Sequence, residues 1–275
     1  MQLVNRNGIF LNLLIISSLI FFLTPSFSVF ASPAAGVSEI SQPSSKSALE
    51  EIDLLIKKGN FLEAKNKYES LIQLTSKEER KSIEQALQNL NIKILFSPQV
   101  TSNSFLYEVK SGDSLSRIAK KQNTTVELIR KSNGLKNDTL HEGMKLKIMK
   151  AKFSIAIDIS DHELKLYADN ELLKTYSVAT GRQGHPTPKG TFTIVNKLEN
   201  PAWYHEGVSV PSGNPKNILG TRWMGFSLKS YGIHGTTLPE TVGTAASEGC
   251  IRMLNNEVEE LYTIVSVGTT VTLSE

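Results

Sequence analysis

The sequence predicts a multidomain protein made of a small α-helical segment, a compact βααβ module and a mainly-β sandwich or barrel. Between residues 48 and 96, apolar residues recur every three or four positions, which is the helical period. Residues 105–149 fit a strand, two helices and a closing strand. From 153 to 274, short runs of alternating apolar and polar residues are separated by Gly- and Pro-containing turns, which is typical of a sandwich or barrel.

The composition excludes several classes of function. The 30 Lys and Arg residues are nearly balanced by 27 Asp and Glu residues, and no long basic run is present, so no nucleic-acid partner is expected. The single Cys excludes an intramolecular disulfide framework and any multi-Cys metal site. Because Cys250 and His234 have no second Cys beside them and the other four histidines lie outside the usual ligand spacings, we expect no metal. No nucleotide-binding glycine loop is visible in the sequence, and we expect no organic cofactor.

The N-terminal part of the chain is predicted to direct export. An apolar run at 9–23 is shorter than the about 20 residues of a spanning helix, and Val29 and Ala31 supply the small residues of a cleavage site. We therefore predict a signal peptide over residues 1–31, with a retained membrane anchor as the alternative, and a location in the periplasm or cell envelope. Residues 32–47, rich in Ser and Pro, are predicted to form a flexible linker.

The helical segment is predicted to contain three helices. The first apolar stripe ends at Gly59-Asn60, and Ser76 with Glu79 forms a capping box at the start of the third helix. The residues that follow Gly59-Asn60 resemble one tetratricopeptide-type helical hairpin, but a solenoid requires several stacked repeats. Residues 48–96 are therefore predicted to be a spacer or a small interaction module.

Capping signals place the two helices of the βααβ module. Asp113 is the predicted N-cap of the first helix. Thr124 and Glu127 form the capping box of the second helix, which ends at Asn133-Gly134.

The residues that form the helices and turns of this module also follow a recognisable sequence pattern. The series SGDSL…IA…LI…N…L…G…L resembles the LysM module over residues 105–149. The resemblance implies binding of glycans that contain N-acetylglucosamine, such as peptidoglycan, through the loops at 112–114 and 133–138.

The C-terminal region is predicted to be built from short strands. Apolar and polar residues alternate over 153–160, which is the period of a half-buried strand. A helix is expected near 257–265, capped by Asn255 or Asn256. Further strands are predicted at 164–168, 174–180, 191–195, 225–229 and 269–273.

The lone Cys250 and the upstream His234 form the candidate chemical centre. A free thiol has a pKa of about 8.5, so a Cys nucleophile needs a base such as imidazole. The protonated imidazole would then stabilise the thiolate. Gly235 and Gly249 let the backbone approach a substrate, and the Gly249 and Cys250 amides are predicted to form an oxyanion hole. Taken singly, a buried apolar Cys and a structural His are the alternatives.

The surroundings of these two residues resemble the L,D-transpeptidase catalytic domain of the YkuD family. His234-Gly235 is followed by the run SEGCIRM, and family-like segments at 180–181, 187–192, 200–203 and 219–223 occur in the expected order. The resemblance implies that Cys250 attacks the carbonyl of the third, diamino-acid residue of a tetrapeptide stem and releases D-alanine. It also implies that His234 is the base, and that the Gly235 carbonyl orients its imidazole.

Other residues near the centre are candidates for substrate binding. Arg252 is placed to bind a stem carboxylate or to support the thiolate, and an ion pair that holds the loop is the alternative. Ser247 is predicted to shape the loop through its hydroxyl. Trp223 and Tyr204, together with Trp203, are candidates for lining a groove, with core packing as the alternative.

One residue departs from the pattern of the family. Glu248 stands where many relatives carry His, immediately before the Gly-Cys pair. A carboxylate at this position is expected to raise the pKa of the thiol.

These features together predict an exported L,D-transpeptidase that acts on peptidoglycan. Stem peptides would bind at the C-terminal domain and glycan strands at the LysM module. The transfer of the acyl group from Cys250 to the amine of a second stem would give a 3→3 cross-link. An L,D-carboxypeptidase, in which water resolves the same thioester, and a non-catalytic wall-binding protein are the alternatives.

Overall fold

The structure is a computed structural model that describes residues 45–205 and 207–275. The predicted signal peptide and all but the last residues of the predicted linker lie outside the described residues. Within the described ranges, no helix combines the length and the apolar character needed to cross a membrane.

Three helices form the N-terminal part of the described chain: α1 (Ser45–Lys57), α2 (Phe61–Leu74) and α3 (Lys77–Leu95). Helix α1 begins before the predicted start at 48. Ser76 occupies the N-cap position of α3, but its side chain makes no capping hydrogen bond, so the predicted capping box is wrong. The helices share an apolar core of Ile52, Ala64, Tyr68, Leu71, Ile83, Leu90 and Ile94.

The βααβ module consists of β1 (Ser104–Glu108), α4 (Leu115–Gln122), α5 (Val126–Ser132) and β2 (Lys145–Met149). Strands β1 and β2 pair in an antiparallel ladder. The predicted order of elements is confirmed.

Both helix caps of the module lie one residue after the predicted positions. Ser114, not Asp113, caps α4 by accepting a hydrogen bond from the Arg117 amide. Thr125, not Thr124, caps α5 by accepting from an amide of the first turn. Asp113 instead accepts hydrogen bonds from the Tyr107 hydroxyl (2.7 Å) and a loop amide, which fixes the loop before α4.

The remaining residues form the β-domain (153–275). Its strands are β3 (Phe153–Asp158), β4 (Glu163–Ala168), β5 (Glu171–Ser177), β6 (Thr180–Gly181), β7 (Gly190–Glu199), β8 (Trp203–His205), β9 (Val208–Val210), β10 (Arg222–Phe226), β11 (Gly232–His234), β12 (Ala245–Ser247), β13 (Ile251–Arg252) and β14 (Thr270–Ser274). Eight of these strands form the main sheet in the order β13-β11-β10-β7-β14-β3-β4-β5, with parallel pairs at β11–β13 and β14–β3. The mainly-β prediction is confirmed.

Three predicted elements of the β-domain differ from the structure. The strand predicted at 174–180 is divided between β5, which ends at Ser177, and β6, which begins at Thr180. The strand predicted at 225–229 is β10, which ends at Phe226 because the chain turns back there toward β11. Helix α6 (Asn255–Ile264) has Leu254 at its N-cap position, and no side chain caps it. The prediction of a cap by Asn255 or Asn256 is therefore wrong, and the side chain of Asn255 bonds elsewhere.

The three parts of the described chain pack on a shared core. Ile92 and Leu95 of α3, together with Leu128 and Met149 of the module, belong to the same buried cluster as the apolar side chains of the main sheet. Lys147 of β2 is 1% exposed, and its ammonium donates to the carbonyl groups of Ile94, Leu95 and Ser97 at the end of α3. The module is therefore fixed against the β-domain by buried contacts.

Candidate active site

The edge of the main sheet brings the predicted site residues together. Strand β11 ends at His234, and β13 begins directly after Cys250. The two strands are parallel neighbours, with His234 in register with Arg252. A pocket of about 490 Å³ lies at this edge and is lined by Cys250, His234, Arg252, Trp223, Tyr204, Glu248, Trp203, Leu219 and Ser230 among others.

The imidazole of His234 is buried and held by a backbone carbonyl. The side chain is 2% exposed, and Nδ1 lies 2.6 Å from the Gly235 oxygen, so the Nδ1–H tautomer donates to that carbonyl. Burial lowers the pKa of His234 to about 4, and the positive charge of Arg252 lowers it as well, whereas hydrogen bonds to the Gly235 and Leu219 carbonyls raise it. The ring is therefore neutral at neutral pH and able to accept a proton.

The thiol of Cys250 is also neutral at rest. It donates to the Ser230 carbonyl at 3.6 Å. Burial raises the pKa of the thiol, whereas the Gly232 amide and the Arg252 charge lower it. The Glu248 carboxylate raises the pKa of the thiol, as the sequence predicts. A preformed thiolate–imidazolium pair is not the resting state, because burial disfavours both charged forms.

Ser247 holds the loop that carries Cys250 through hydrogen bonds of its hydroxyl. Its side chain is buried, and its hydroxyl donates to the Cys250 carbonyl at 2.5 Å and accepts from the Gly249 amide at 3.1 Å. Without a substrate, the Gly249 amide thus donates within its own loop, and its part in an oxyanion hole stays a prediction. The Cys250 amide likewise stays a predicted donor, and the Gly232 amide lies against the Cys250 sulfur, where it lowers the pKa of the thiol.

Gly249 is required for the shape of the loop. Its φ of +100° lies in the region that favours glycine, and an added Cβ would lie 2.7 Å from the Tyr231 ring. The role of Gly249 is therefore conformational.

Arg252 is the buried cation of the pocket. It is 7% exposed, and its Nε has no hydrogen-bond partner. Among the described residues, no carboxylate lies within ion-pair distance of Arg252, so the alternative of a loop-holding ion pair has no partner there. A buried guanidinium whose Nε has no hydrogen-bond partner can bind a carboxylate.

The two aromatic candidates have different environments. Trp223 stacks on the His234 ring with a centroid separation of 5.9 Å, and its indole N–H donates to Asn196 at 2.9 Å. Trp223 therefore packs against the imidazole. Tyr204 lies on the β8–β9 hairpin and is 77% exposed, so it is at the rim of the pocket and outside the core.

Asn255 supports the site, whereas the sequence predicted it as a possible cap of the helix near 257–265. Its amide oxygen accepts from the Thr221 and Thr236 amides (3.2 and 3.1 Å), and its amide nitrogen donates to the Thr236 carbonyl at 2.9 Å. A Cβ on Gly220 or Gly235 would overlap the Asn255 oxygen. Asn255 thus clamps the chain directly after His234. An Asn at the start of a helix also fits a cap, so no local pattern indicates this contact.

No metal centre accompanies these groups in residues 45–205 and 207–275. There, no group of three His, Cys, Asp or Glu side chains could hold a metal ion.

The fold and the pocket define a modular protein whose mainly-β domain brings a thiol and an imidazole to one groove. Residues 152–273 match the family model of the L,D-transpeptidase catalytic domain, and residues 107–148 match that of the LysM domain.

Individual relatives agree with these matches. A Bacillus subtilis protein named as the L,D-transpeptidase YqjB is 41% identical over 126 residues, which cover 44% of this chain and 70% of that protein. A Bacillus licheniformis protein named as the L,D-transpeptidase YkuD is 36% identical over 176 residues, which cover 62% of this chain and 98% of that protein. A solved L,D-transpeptidase from Mycobacterium smegmatis aligns with a TM-score of 0.40 and 22% identity, over 48% of this chain and 64% of that one.

The chain belongs to the L,D-transpeptidase family of YkuD type and carries a LysM domain. These two domains together imply binding to peptidoglycan.

Proposed function

We propose that this protein is an exported peptidoglycan L,D-transpeptidase that uses Cys250 as its nucleophile. The observation that carries the proposal is the convergence of a thiol, a neutral buried imidazole and a buried guanidinium in one pocket of about 490 Å³, with no hydrogen-bond partner for the guanidinium Nε. The pocket can therefore provide a nucleophile, a base and an anion-binding group together.

The first half-reaction follows from the protonation states of the two groups. As the Cys250 sulfur attacks the carbonyl of the third stem residue, the thiol proton passes to Nε2 of His234. The Gly235 carbonyl holds the opposite nitrogen and stabilises the imidazolium that forms. The imidazolium then gives the proton to the departing amine of D-alanine, which leaves a thioester on Cys250.

The second half-reaction reverses these proton transfers. The side-chain amine of a second stem attacks the thioester carbonyl, and His234 accepts the proton that the nitrogen loses. The sulfur leaves and takes that proton back, so the thiol and the neutral imidazole are restored. The product is an amide between two third-position residues, which is the 3→3 cross-link.

Arg252 is the proposed binding group for a carboxylate of the donor stem. It lies beside His234 in the β11–β13 register, so a bound carboxylate is close to the reacting carbonyl. Burial strengthens this ion pair because little water competes for the guanidinium.

The LysM domain is proposed to hold the enzyme on its insoluble substrate. Glycan binding raises the local concentration of stems near the pocket. Because the LysM domain shares a buried core with the β-domain, its orientation relative to the pocket is fixed.

The test of the reaction is incubation of a purified disaccharide-tetrapeptide with the protein, followed by mass spectrometry. We expect a dimer that has lost one D-alanine, and no dimer from Cys250→Ala. A dimer of undiminished yield from Cys250→Ala would refute the mechanism. Conversion to tripeptide without dimer would assign the protein as a carboxypeptidase, and no conversion of the substrate would favour a wall-binding role.

The glycan-binding proposal needs point variants, because deletion of the LysM domain would expose the shared core. Lys136→Glu alters the exposed loop at 133–138, and Lys120→Glu makes the same change on the exposed face of α4. We expect weaker sedimentation with purified peptidoglycan sacculi for Lys136→Glu and no change for Lys120→Glu. Equal sedimentation of both variants with the wild type would contradict this use of the loop.

A further inference from the structure

The pocket contains a second charged group that the proposed reaction does not use. Glu248 lines the same pocket as Cys250, two residues away along the chain. Its side chain is 54% exposed, whereas Arg252 is 7% exposed. A negative charge therefore lies at the open side of the pocket, and a positive charge lies at its buried side.

The partner of Glu248 leaves its carboxylate accessible. Arg182 approaches Glu248 at 3.3 Å, and the side chains of both residues are about half exposed. The Arg182 amide donates to the Ser247 carbonyl at 2.9 Å, so the backbone of Arg182 is fixed beside the nucleophile loop. An exposed pair of this kind contributes little free energy, and a substrate cation can share or replace the guanidinium.

The two charges match two different parts of the reaction. The donor stem must lie deep in the pocket, where its carbonyl meets Cys250 and its carboxylate meets Arg252. The acceptor stem arrives after D-alanine has left, from the open side where Glu248 lies. The acceptor carries an amine that is protonated in water, so its charge is opposite to that of Glu248.

We propose that Glu248 is a specificity residue that binds the side-chain ammonium group of the acceptor stem beside the Cys250 thioester. This inference rests on the proposed function. The carboxylate is unfavourable for the first half-reaction, because a negative charge next to a thiol disfavours its ionisation. It is favourable for the second half-reaction, because it attracts the cationic acceptor to the open side of the pocket. There the ammonium releases one proton to water, and the neutral amine then attacks the thioester while His234 accepts the second proton. A diamino-acid residue with a free amine is therefore the acceptor class that this pocket selects.

The experiment separates the two half-reactions in Glu248→Gln, which keeps the size of the side chain and removes its charge. Acylation is followed as release of D-alanine from the tetrapeptide donor. Transfer is followed as dimer formation at varied concentrations of a tetrapeptide acceptor with a free amine. Glu240→Gln, an exposed change on the short 3₁₀ helix Pro239–Thr241, is the matched control.

We expect Glu248→Gln to be acylated at least as fast as the wild type and to show a KM for the acceptor that is about ten-fold higher. Hydroxylamine is uncharged at neutral pH and cleaves thioesters, so its reaction with the acyl-enzyme should not slow in Glu248→Gln. Glu240→Gln should match the wild type in every assay.

The outcomes distinguish this inference from the proposed function. An unchanged acceptor KM in Glu248→Gln, with normal acylation, would overturn the role of Glu248 and leave the transpeptidase proposal intact. If Glu248→Gln slowed the reaction with hydroxylamine as much as the reaction with the peptide acceptor, the role of Glu248 would also be overturned. Such a result would mean that the variant slows transfer to any acceptor, whether or not the acceptor carries a charge. No acylation of the wild-type protein by the donor would overturn the proposed function itself. If Gln at this position unfolds the chain, Glu248→Asp provides the test, and a near-normal KM is expected because its charge is retained.

Discussion

The Asn255 clamp leads to a prediction whose size follows from three hydrogen bonds. Asn255→Ala removes two bonds accepted from the Thr221 and Thr236 amides and one donated to the Thr236 carbonyl. Each such bond contributes about 1 kcal/mol, and two backbone amides lose their partner, so the free energy of unfolding should fall by about 3 kcal/mol. At about 3 °C per kcal/mol for a chain of this size, the Tm should fall by about 9 °C.

The same variant should also slow the reaction. The clamp holds the chain next to Gly235, whose carbonyl orients the His234 imidazole, so its loss should lower the rate of acylation about ten-fold at a temperature where the variant is folded. Denaturation followed by circular dichroism gives the stability, and release of D-alanine from the tetrapeptide gives the rate.

The neighbouring residue supplies a matched control. Asn256 is the next position of α6 and is exposed, so Asn256→Ala makes the same change of helix propensity without removing the clamp. Its stability should stay within about 0.5 kcal/mol of the wild type. If Asn255→Ala and Asn256→Ala had the same stability and the same rate, the clamp would have no role.

Three further predictions test other parts of the site and the fold. Because burial lowers the pKa of His234 to about 4, the imidazole stays neutral and able to accept a proton in mild acid. In the pH profile of kcat/KM for acylation, the fall in rate on the acid side should therefore have its midpoint near pH 4. A midpoint near pH 6.5 would contradict this prediction. Gly249→Ala places a Cβ against the Tyr231 ring at a positive φ, so acylation should be nearly abolished; turnover close to wild type would show that the loop adapts. Thr125→Val removes the cap of α5, so the free energy of unfolding measured by chemical denaturation should fall by about 1–2 kcal/mol. Thr124→Val should leave the stability unchanged or raise it, because the buried Thr124 hydroxyl has no hydrogen-bond partner. A larger loss of stability for Thr124→Val than for Thr125→Val would show that Thr124 is the cap.

Local patterns in the sequence predicted the longer helices and strands, but they did not predict the short strands β8, β9, β11, β12 and β13, which are too short to show a period. The period of apolar residues located the helices and strands, because burial of one face imposes that period. The caps were less predictable: Asp113 and Ser114 are both good N-caps, and Thr124 and Thr125 are identical in type. Which one caps depends on where the backbone changes from extended to helical, and tertiary contacts decide this.

Cys250 and His234 could be selected as candidate residues for a different reason. Cys250 and His234 have residue types and neighbours that few other functions require together. The buried contacts around them were not predictable, since Lys147 and Asn255 bond to backbone atoms that are distant in sequence. The engaged Gly249 amide was also hidden, because the sequence does not show which acceptor lies near a backbone N–H.

The most direct test of the central claim is the mass of the intact protein after brief mixing with a tetrapeptide donor in the absence of an acceptor. The account predicts an increase equal to the tripeptide acyl group, matched by release of D-alanine, and located by proteolysis to the peptide that contains Cys250. An adduct on another residue, or full release of D-alanine by Cys250→Ala, would contradict the account.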